Sequence, residues 1–223
     1  MVQDKNVKYQ IAGALCLGEY GRLQDMSKTV SLTDRIESLI RSDQDDVRQA
    51  ASIALGKLAL GNTGFFLPKI MASIQKPDNK FRYLYLNTIK EVILNNSAAL
   101  VKVVVGLTEE LLKLADHKED RTRGLVAECL GRLFAEYAVD MSGDMQQALT
   151  SANKPVAMAT VARSFLYCGD KLEDEMIADT YKECVEMLID IIGHKDAEVN
   201  RYSLEGLRAI VKSNSALLED HVS

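Results

Sequence analysis

The chain has 223 residues, of which 47% are hydrophobic, with only 13 glycines, 3 prolines and 6% aromatics. That balance buries a sizeable core and favours helices over sheets. A formal net charge of -5 removes the broad basic field that nucleic-acid binding needs. The longest apolar stretches, Val103-Val104-Val105 and Leu188-Ile189-Asp190-Ile191-Ile192, fall far short of the roughly 20 residues required to cross a bilayer.

The first element in chain order is a helix near 7–23, with Tyr9, Ala12, Gly13, Cys16, Leu17 and Tyr20 on one stripe. A helix from about Ser31 to Arg41 follows, with capping-box spacing from Ser31 to Asp34. The next, near 47–60, places Val47, Ala50, Ala51, Ala54, Leu55 and Leu58 at i, i+3, i+4, i+7, i+8 and i+11. Its stripe has the same phase as the first, and Gly56 takes the place of Gly18. A partner helix spans Phe65 to Gln75, and the stripe returns near 81–95 with Phe81, Leu84, Tyr85, Thr88, Ile89 and Val92. After a helix from Ala98 to Asp116 it recurs near 121–137 as Thr122, Leu125, Val126, Cys129, Leu130 and Leu133, with Gly131 matching Gly56. Helices at Gly143 to Ser151 and Asp174 to Gly193 alternate with the last copies, near 156–168 (Thr160, Val161, Phe165, Cys168) and 199–213 (Val199, Tyr202, Leu207, Ile210).

Taking the residue aligned with Arg48 as a ruler, the copies sit at Gln10, Arg48, Arg82, Arg123, Met158 and Asn200, spaced by 38, 34, 41, 35 and 42 residues. That is the length of a two-helix HEAT or armadillo repeat, with the ruler residue on the second helix, B, and the intervening helices as A. The reading predicts an all-α solenoid of about six repeats forming one domain over 1–223. Its helices start at acidic turns (Asp45-Asp46, Asp78, Asp120), Pro77 and Pro155 fall in A-to-B turns, and Pro68 falls in the first turn of an A helix. The chain opens in a B helix and closes at Ser215-Ala216-Leu217-Leu218-Glu219-Asp220 like the start of an A helix. Neither end resembles a polar cap, so a segment of a longer array is expected.

The residues supply no catalytic, metal or cofactor constellation. Cys16, Cys129, Cys168 and Cys184 form no CxxC pair and are expected to be buried packing residues in a reducing compartment. His117 and His194 stand six residues before their ruler positions, as polar turn residues at the ends of A helices; His221 stands alone. The glycines of Gly18-Glu19-Tyr20-Gly21 and Gly61-Asn62-Thr63-Gly64 follow no strand and precede no GK[ST], so they are expected at helix ends. Arg48, Arg82 and Arg123 are expected to form an Asp-to-Arg ladder tying repeats together. What remains is B-helix surface opposite the stripe: Ile53, Leu86, Asn87, Arg163, Leu204 and Glu205 are the candidate protein-binding residues.

Several strings resemble the cullin-associated, neddylation-dissociated proteins, in their C-terminal part. They are Ala14-Leu15-Cys16-Leu17-Gly18-Glu19-Tyr20-Gly21, Ala50-Ala51-Ser52-Ile53-Ala54-Leu55-Gly56, Tyr83-Leu84-Tyr85-Leu86, Ile89-Lys90-Glu91-Val92-Ile93 and Val126-Ala127-Glu128-Cys129-Leu130-Gly131. The resemblance is dense from about residue 12 to 133 and thinner beyond. It implies a scaffold that wraps an unmodified cullin and promotes exchange of substrate receptors in cullin-RING ubiquitin ligases. The expected partner is then a cullin or cullin-RING complex, with no nucleic acid, membrane or small-molecule substrate, and the expected location is cytoplasm or nucleus. A nuclear transport receptor is the alternative. A HEAT-like DNA glycosylase is remote in an acidic chain without tryptophan.

Overall fold

In a computed structural model that describes residues 6–76, 79–151, 153–168 and 175–213, the predicted helices appear in the predicted order. Among the described residues there are α1 (Val7–Leu23), α2 (Val30–Ile40), α3 (Asp45–Gly61), α4 (Thr63–Gln75), α5 (Arg82–Asn96), α6 (Val104–Leu112), α7 (Asp120–Leu149), α8 (Pro155–Ser164), α9 (Glu175–Asp190) and α10 (Ala197–Ser213), and no strand. The chain divides into two compact units, Met1–Leu100 and Val101–Ser223. Pro77, Asp78, Asp174, the stretch 215–220 and His221 lie outside the described residues.

In the first unit α1, α3 and α5 are B helices stacked side by side, with α2 packed on α3 and α4 on α5. In the second, the first limb of α7, α8 and α10 are the B helices. Helix α6 packs on α7, the second limb of α7 serves α8, and α9 serves α10. The fold is all-α and built of helix pairs, as the period predicts.

The stripe explains the burial. All six of its positions are buried in α3 (Val47 to Leu58) and in the α8 segment (Ala157, Thr160, Val161, Ser164, Phe165, Cys168), and five of six in α5, α7 and α10. Each large apolar side chain removed from water contributes about 1.5–3 kcal/mol. The repeated glycine explains the stacking. A Cβ on Gly18 would stand 2.8 Å from Ala54 Cα, one on Gly56 2.9 Å from Thr88 O, and one on Gly131 would overlap Ser164 O. Each glycine therefore lets its B helix touch the backbone of the next one.

Several local expectations change. The N-cap of α2 is Thr29, with no side-chain capping bond, so Ser31 is not a cap. Helix α4 begins earlier than predicted because Asn62 Oδ1 accepts from Phe65 N at 3.1 Å. Pro68 consequently lies inside that helix, where it removes one main-chain donor. The predicted helix over 98–116 is a 3-10 turn at Ser97–Leu100 followed by the shorter α6. The helix predicted from Gly143 is the second limb of α7, joined through Tyr137 (φ -132°, ψ 35°), because no glycine or proline intervenes after Leu133 to stop the chain. Gly18 and Gly21 lie inside α1, while Gly61 ends α3.

Candidate protein-binding surface

Each B helix starts from a turn fastened by its ruler residue. Arg48 Nη1 donates to Ser42 O at 2.7 Å, Arg82 Nη2 to Lys76 O at 2.6 Å and Arg123 Nη1 to His117 O at 2.9 Å, each reaching back six residues. Arg82 Nε also donates to Ile74 O at 2.7 Å. Arg48 and Arg123 bond Asp45 and Asp120 in their own first turns. The expected ladder between repeats is thus chiefly a clamp within each repeat, closing the carbonyl end of helix A onto the start of helix B. In α10 the ruler is Asn200, and the polarity reverses: its Oδ1 accepts from Gly193 N at 2.9 Å. The histidines are turn residues as predicted. His117 Nδ1 accepts from Glu119 N at 3.2 Å and His194 Nδ1 from Asp196 N at 3.0 Å.

The six candidate surface residues separate by register. Leu86 and Leu204 stand four residues after the ruler, with Ser52, Ala127 and Ala162. Leu86, Ser52, Ala127 and Ala162 are all fully buried, whereas Leu204 is 48% exposed. Leu86 is therefore core, and the expectation that it is a surface anchor is corrected. The exposure of Leu204 belongs to the free flank of α10. Ile53, Asn87, Arg163 and Glu205 stand one residue further on. Asn87 is buried and donates to Ser52 Oγ at 2.8 Å, a bond between helices that removes it from the surface too. Ile53, Arg163 and Glu205 are half-buried, on the outer ridge. Reading everything opposite the stripe as solvent-facing overlooked that a stacked helix has neighbours on two flanks.

In the second unit the ridge brings Arg163 and Glu205 into one cluster. Asp120 accepts from Arg123 at 3.1 Å and from Arg163 at 3.4 Å, and Glu198 lies 3.9 Å from Arg123. The guanidinium groups of Arg163 and Arg201 lie 5.3 and 5.2 Å from the centroid of the Tyr202 ring, and Arg201 Nε donates to Glu205 at 2.9 Å. Gly124 makes room: a Cβ there would come within 3.2 Å of Arg163 Nη2. Lower on the ridge, Arg132 Nε and Nη2 both donate to one oxygen of Glu128 at 3.0 Å, and the Arg132 guanidinium lies 6.0 Å from the Tyr167 ring. The first unit carries the pairs Glu19–Lys57 and Glu19–Arg22. Lys57, assisted by Arg22, holds the Glu19 carboxyl below its usual range.

Sequence reasoning missed Arg201 and Tyr202, although Glu198, Arg201, Tyr202 and Glu205 have the i, i+3, i+4, i+7 spacing of one helix face. Guanidinium and tyrosine side chains, charge-balanced and half-exposed, are the composition of protein-contact surfaces. Among the described residues no group of three or more His, Cys, Asp or Glu is placed to hold a metal ion, and no helix is long and apolar enough to cross a membrane.

The cysteines divide differently from expectation. Cys129, Cys168 and Cys184 are buried, but Cys16 is exposed, because α1 packs on α3 through Gly13, Ala14, Gly18 and Gly21 and leaves the Cys16 side open. Titration of the folded protein with an aromatic disulfide is expected to show one fast thiol, lost in Cys16→Ser, and three that react only on unfolding. Burial pushes the Cys184 thiol up to about 12 and Cys168 higher still. Unfolded thiols ionise near their ordinary value while these two stay protonated in the fold. Stability is therefore complete below about pH 8.5 and falls above it by about 1.4 kcal/mol per pH unit for each thiol, until the folded groups ionise. Urea midpoints from pH 8 to 11 check the slope, which Cys184→Ala is expected to lessen.

No family model matches the chain. Cullin-associated NEDD8-dissociated protein 1 of Drosophila melanogaster is 28% identical over 225 residues, covering 98% of this chain and 18% of that protein. The protein of the same name from Dictyostelium discoideum is 25% identical over 215 residues, covering 93% and 17%. The C-terminal part of that protein from Emericella nidulans is 25% identical over 185 residues, covering 81% and 17%. Among solved structures, a designed armadillo repeat protein aligns over 94% of this chain and 96% of its own at a TM-score of 0.46 and 12% identity. The chain thus spans less than a fifth of the length of these curated relatives. Along nearly its whole length, and beyond the strings in which the likeness is dense, it is similar to the cullin-associated NEDD8-dissociated proteins.

Proposed function

We propose that this chain is a segment of a protein-binding scaffold that engages a cullin, in the cytoplasm or nucleus, through the B-helix ridge, and takes part in exchanging the substrate receptors of cullin-RING ubiquitin ligases. What supports the reading is the ridge cluster, Tyr202 with the guanidinium groups of Arg163 and Arg201 close to its ring, in a chain similar to proteins named for cullin association. A charge-paired ridge of arginine, tyrosine and carboxylate side chains suits recognition of another protein surface. Each repeat contributes a few contacts, so a segment binds more weakly than a longer array in which neighbouring repeats are tethered.

The experiment is capture of the 223-residue chain on a panel of immobilised unmodified cullins, with Arg201→Glu and Tyr202→Ala as ridge variants. Arg201 is two-thirds exposed, so its replacement leaves the helix intact. Loss of one aromatic or arginine anchor costs about 2 kcal/mol, roughly thirtyfold in affinity. Binding that both variants leave unchanged while their helicity is native would exclude the ridge as the contact.

A further inference from the structure

A groove of about 530 Å³ lies within the second unit, between α6 and the second limb of α7, and reaches the start of α8. It shares no residue with the cluster around Tyr202, and its volume is that of a site for several side-chain groups rather than for one water. Small residues keep it open: Ala115 after α6, Ala148 on the limb and Ala157 on α8. The first unit shows what larger ones do. In the gap between α2 and α4 stand Phe66 and Tyr85, and only about 10 Å³ is left.

The lining decides the occupant. Buried Ala115 and Ala157, with half-buried Leu112 and Ala148, make an apolar floor. Carboxylates stand on both walls, Glu109 and Asp116 exposed on the α6 side and Asp144 half-buried on the α7 side. Of the two lining cations, Lys113 donates to Glu110, outside the lining, at 2.7 Å, which leaves Lys154 against three carboxylates. The Asp116 and Asp144 carboxylates form no hydrogen bond or ion pair among the described residues. The surroundings deepen the same field. Residues 101–223 carry 22 acidic and 14 basic side chains against 10 and 13 in residues 1–100, and Glu136 and Asp140 continue the Asp144 face of the limb at four-residue spacing.

Such a field attracts cations and repels phosphate-bearing ligands. A metal ion is a poor match, because among the described residues no three carboxylates are placed to hold one. Carboxylates spread over two walls above an apolar floor suit arginine and lysine, whose stems are apolar and whose ends are charged. We infer that this groove is a docking site for a basic segment of a partner protein, with arginine or lysine head groups at Asp116 and Asp144 and their stems on Ala115, Ala148 and Ala157.

The probe is a fluorescent nonapeptide of three Arg-Ala-Ala units, titrated with the 223-residue chain and followed by anisotropy, with its Glu-Ala-Ala counterpart as the comparison. Saturable binding of the arginine peptide is expected, weakening as salt is raised, with none of the glutamate peptide. Asp116→Asn together with Asp144→Asn is expected to weaken it about tenfold. Asp140→Asn together with Glu186→Gln, an equal change of charge outside the lining, is expected to weaken it no more than about twofold. Ala148→Leu, which fills the groove and leaves every charge in place, is expected to weaken it about tenfold as well. No saturable binding overturns the proposal, as do equal losses from the two charge pairs, or an Ala148→Leu chain of native helicity that binds the peptide undiminished. A dimer of the chain alone, dispersed by Asp116→Asn with Asp144→Asn, overturns it too, since a second copy would then be the occupant.

Discussion

Replacing Gly131 by alanine is expected to destabilise the second unit by about 3 kcal/mol, a large effect for one methyl group. The new Cβ would overlap Ser164 O and stand 2.9 Å from Ser164 C and 3.0 Å from Tyr167 Cβ. Two of those three neighbours are backbone atoms, which cannot swing away as a long side chain can. Helix α8 has to retreat from α7, and the retreat loosens contacts that depend on the same spacing. Cys168 Sγ loses its 3.3 Å hydrogen bond to Gly131 O, and the Phe134–Phe165 ring contact, 5.5 Å between centroids, opens. The control is Gly143→Ala, in the second limb of α7, where a Cβ meets nothing within 4 Å. There the substitution is expected to stabilise by about 0.5–1 kcal/mol, because it only narrows the unfolded ensemble and favours helix. Urea unfolding followed by circular dichroism separates the two. Equal effects at the two glycines would mean that the B helices do not meet as described.

Phe134→Ala is expected to cost about 3–5 kcal/mol, the largest single-residue effect in the second unit. Phe134 is fully buried and its ring meets two others edge to face, Phe165 at 5.5 Å and Tyr181 at 5.0 Å. These rings come from α7, from the turn after α8 and from α9, so one truncation leaves a cavity shared by three elements. The quadrupole contacts add about 0.5–1.5 kcal/mol per pair to the area term. Leu204→Ala, on the free flank of α10, is expected to change stability by no more than about 0.5 kcal/mol. A Phe134→Ala variant with the wild-type urea midpoint would contradict the assignment of the core.

The repeats were legible because their signals are local. A stripe at i, i+3, i+4 and i+7 is written in adjacent turns, and the glycine at the crossing recurs at Gly18, Gly56 and Gly131. Packing across the stack is where reading from sequence failed. Leu86 and Asn87 look like free surface on an isolated helix, yet both are buried, and Asn87 is bonded to Ser52 of α3. Cys16 matches Ala54 in register but lacks the neighbouring helix that buries Ala54. The kink at Tyr137 falls at the predicted end of the 121–137 helix, but the second limb of α7 starts directly after it and not at Gly143, with no glycine or proline to announce the break. The Tyr202 cluster draws residues from α7, α8 and α10, and its aromatic centre was first assigned only to the stripe. Half of that side chain does pack inward, against Met158, Ala159 and Val199, and half faces the two arginines.

Cullin engagement through the ridge is tested by the affinity of this chain for an unmodified cullin with and without an adaptor module already bound. Binding to the free cullin is expected to be saturable, weakened roughly thirtyfold by Arg201→Glu, and competitive with the adaptor, so that each displaces the other. Absence of saturable binding to any cullin of the panel, or equal affinity with the adaptor in place, would contradict it.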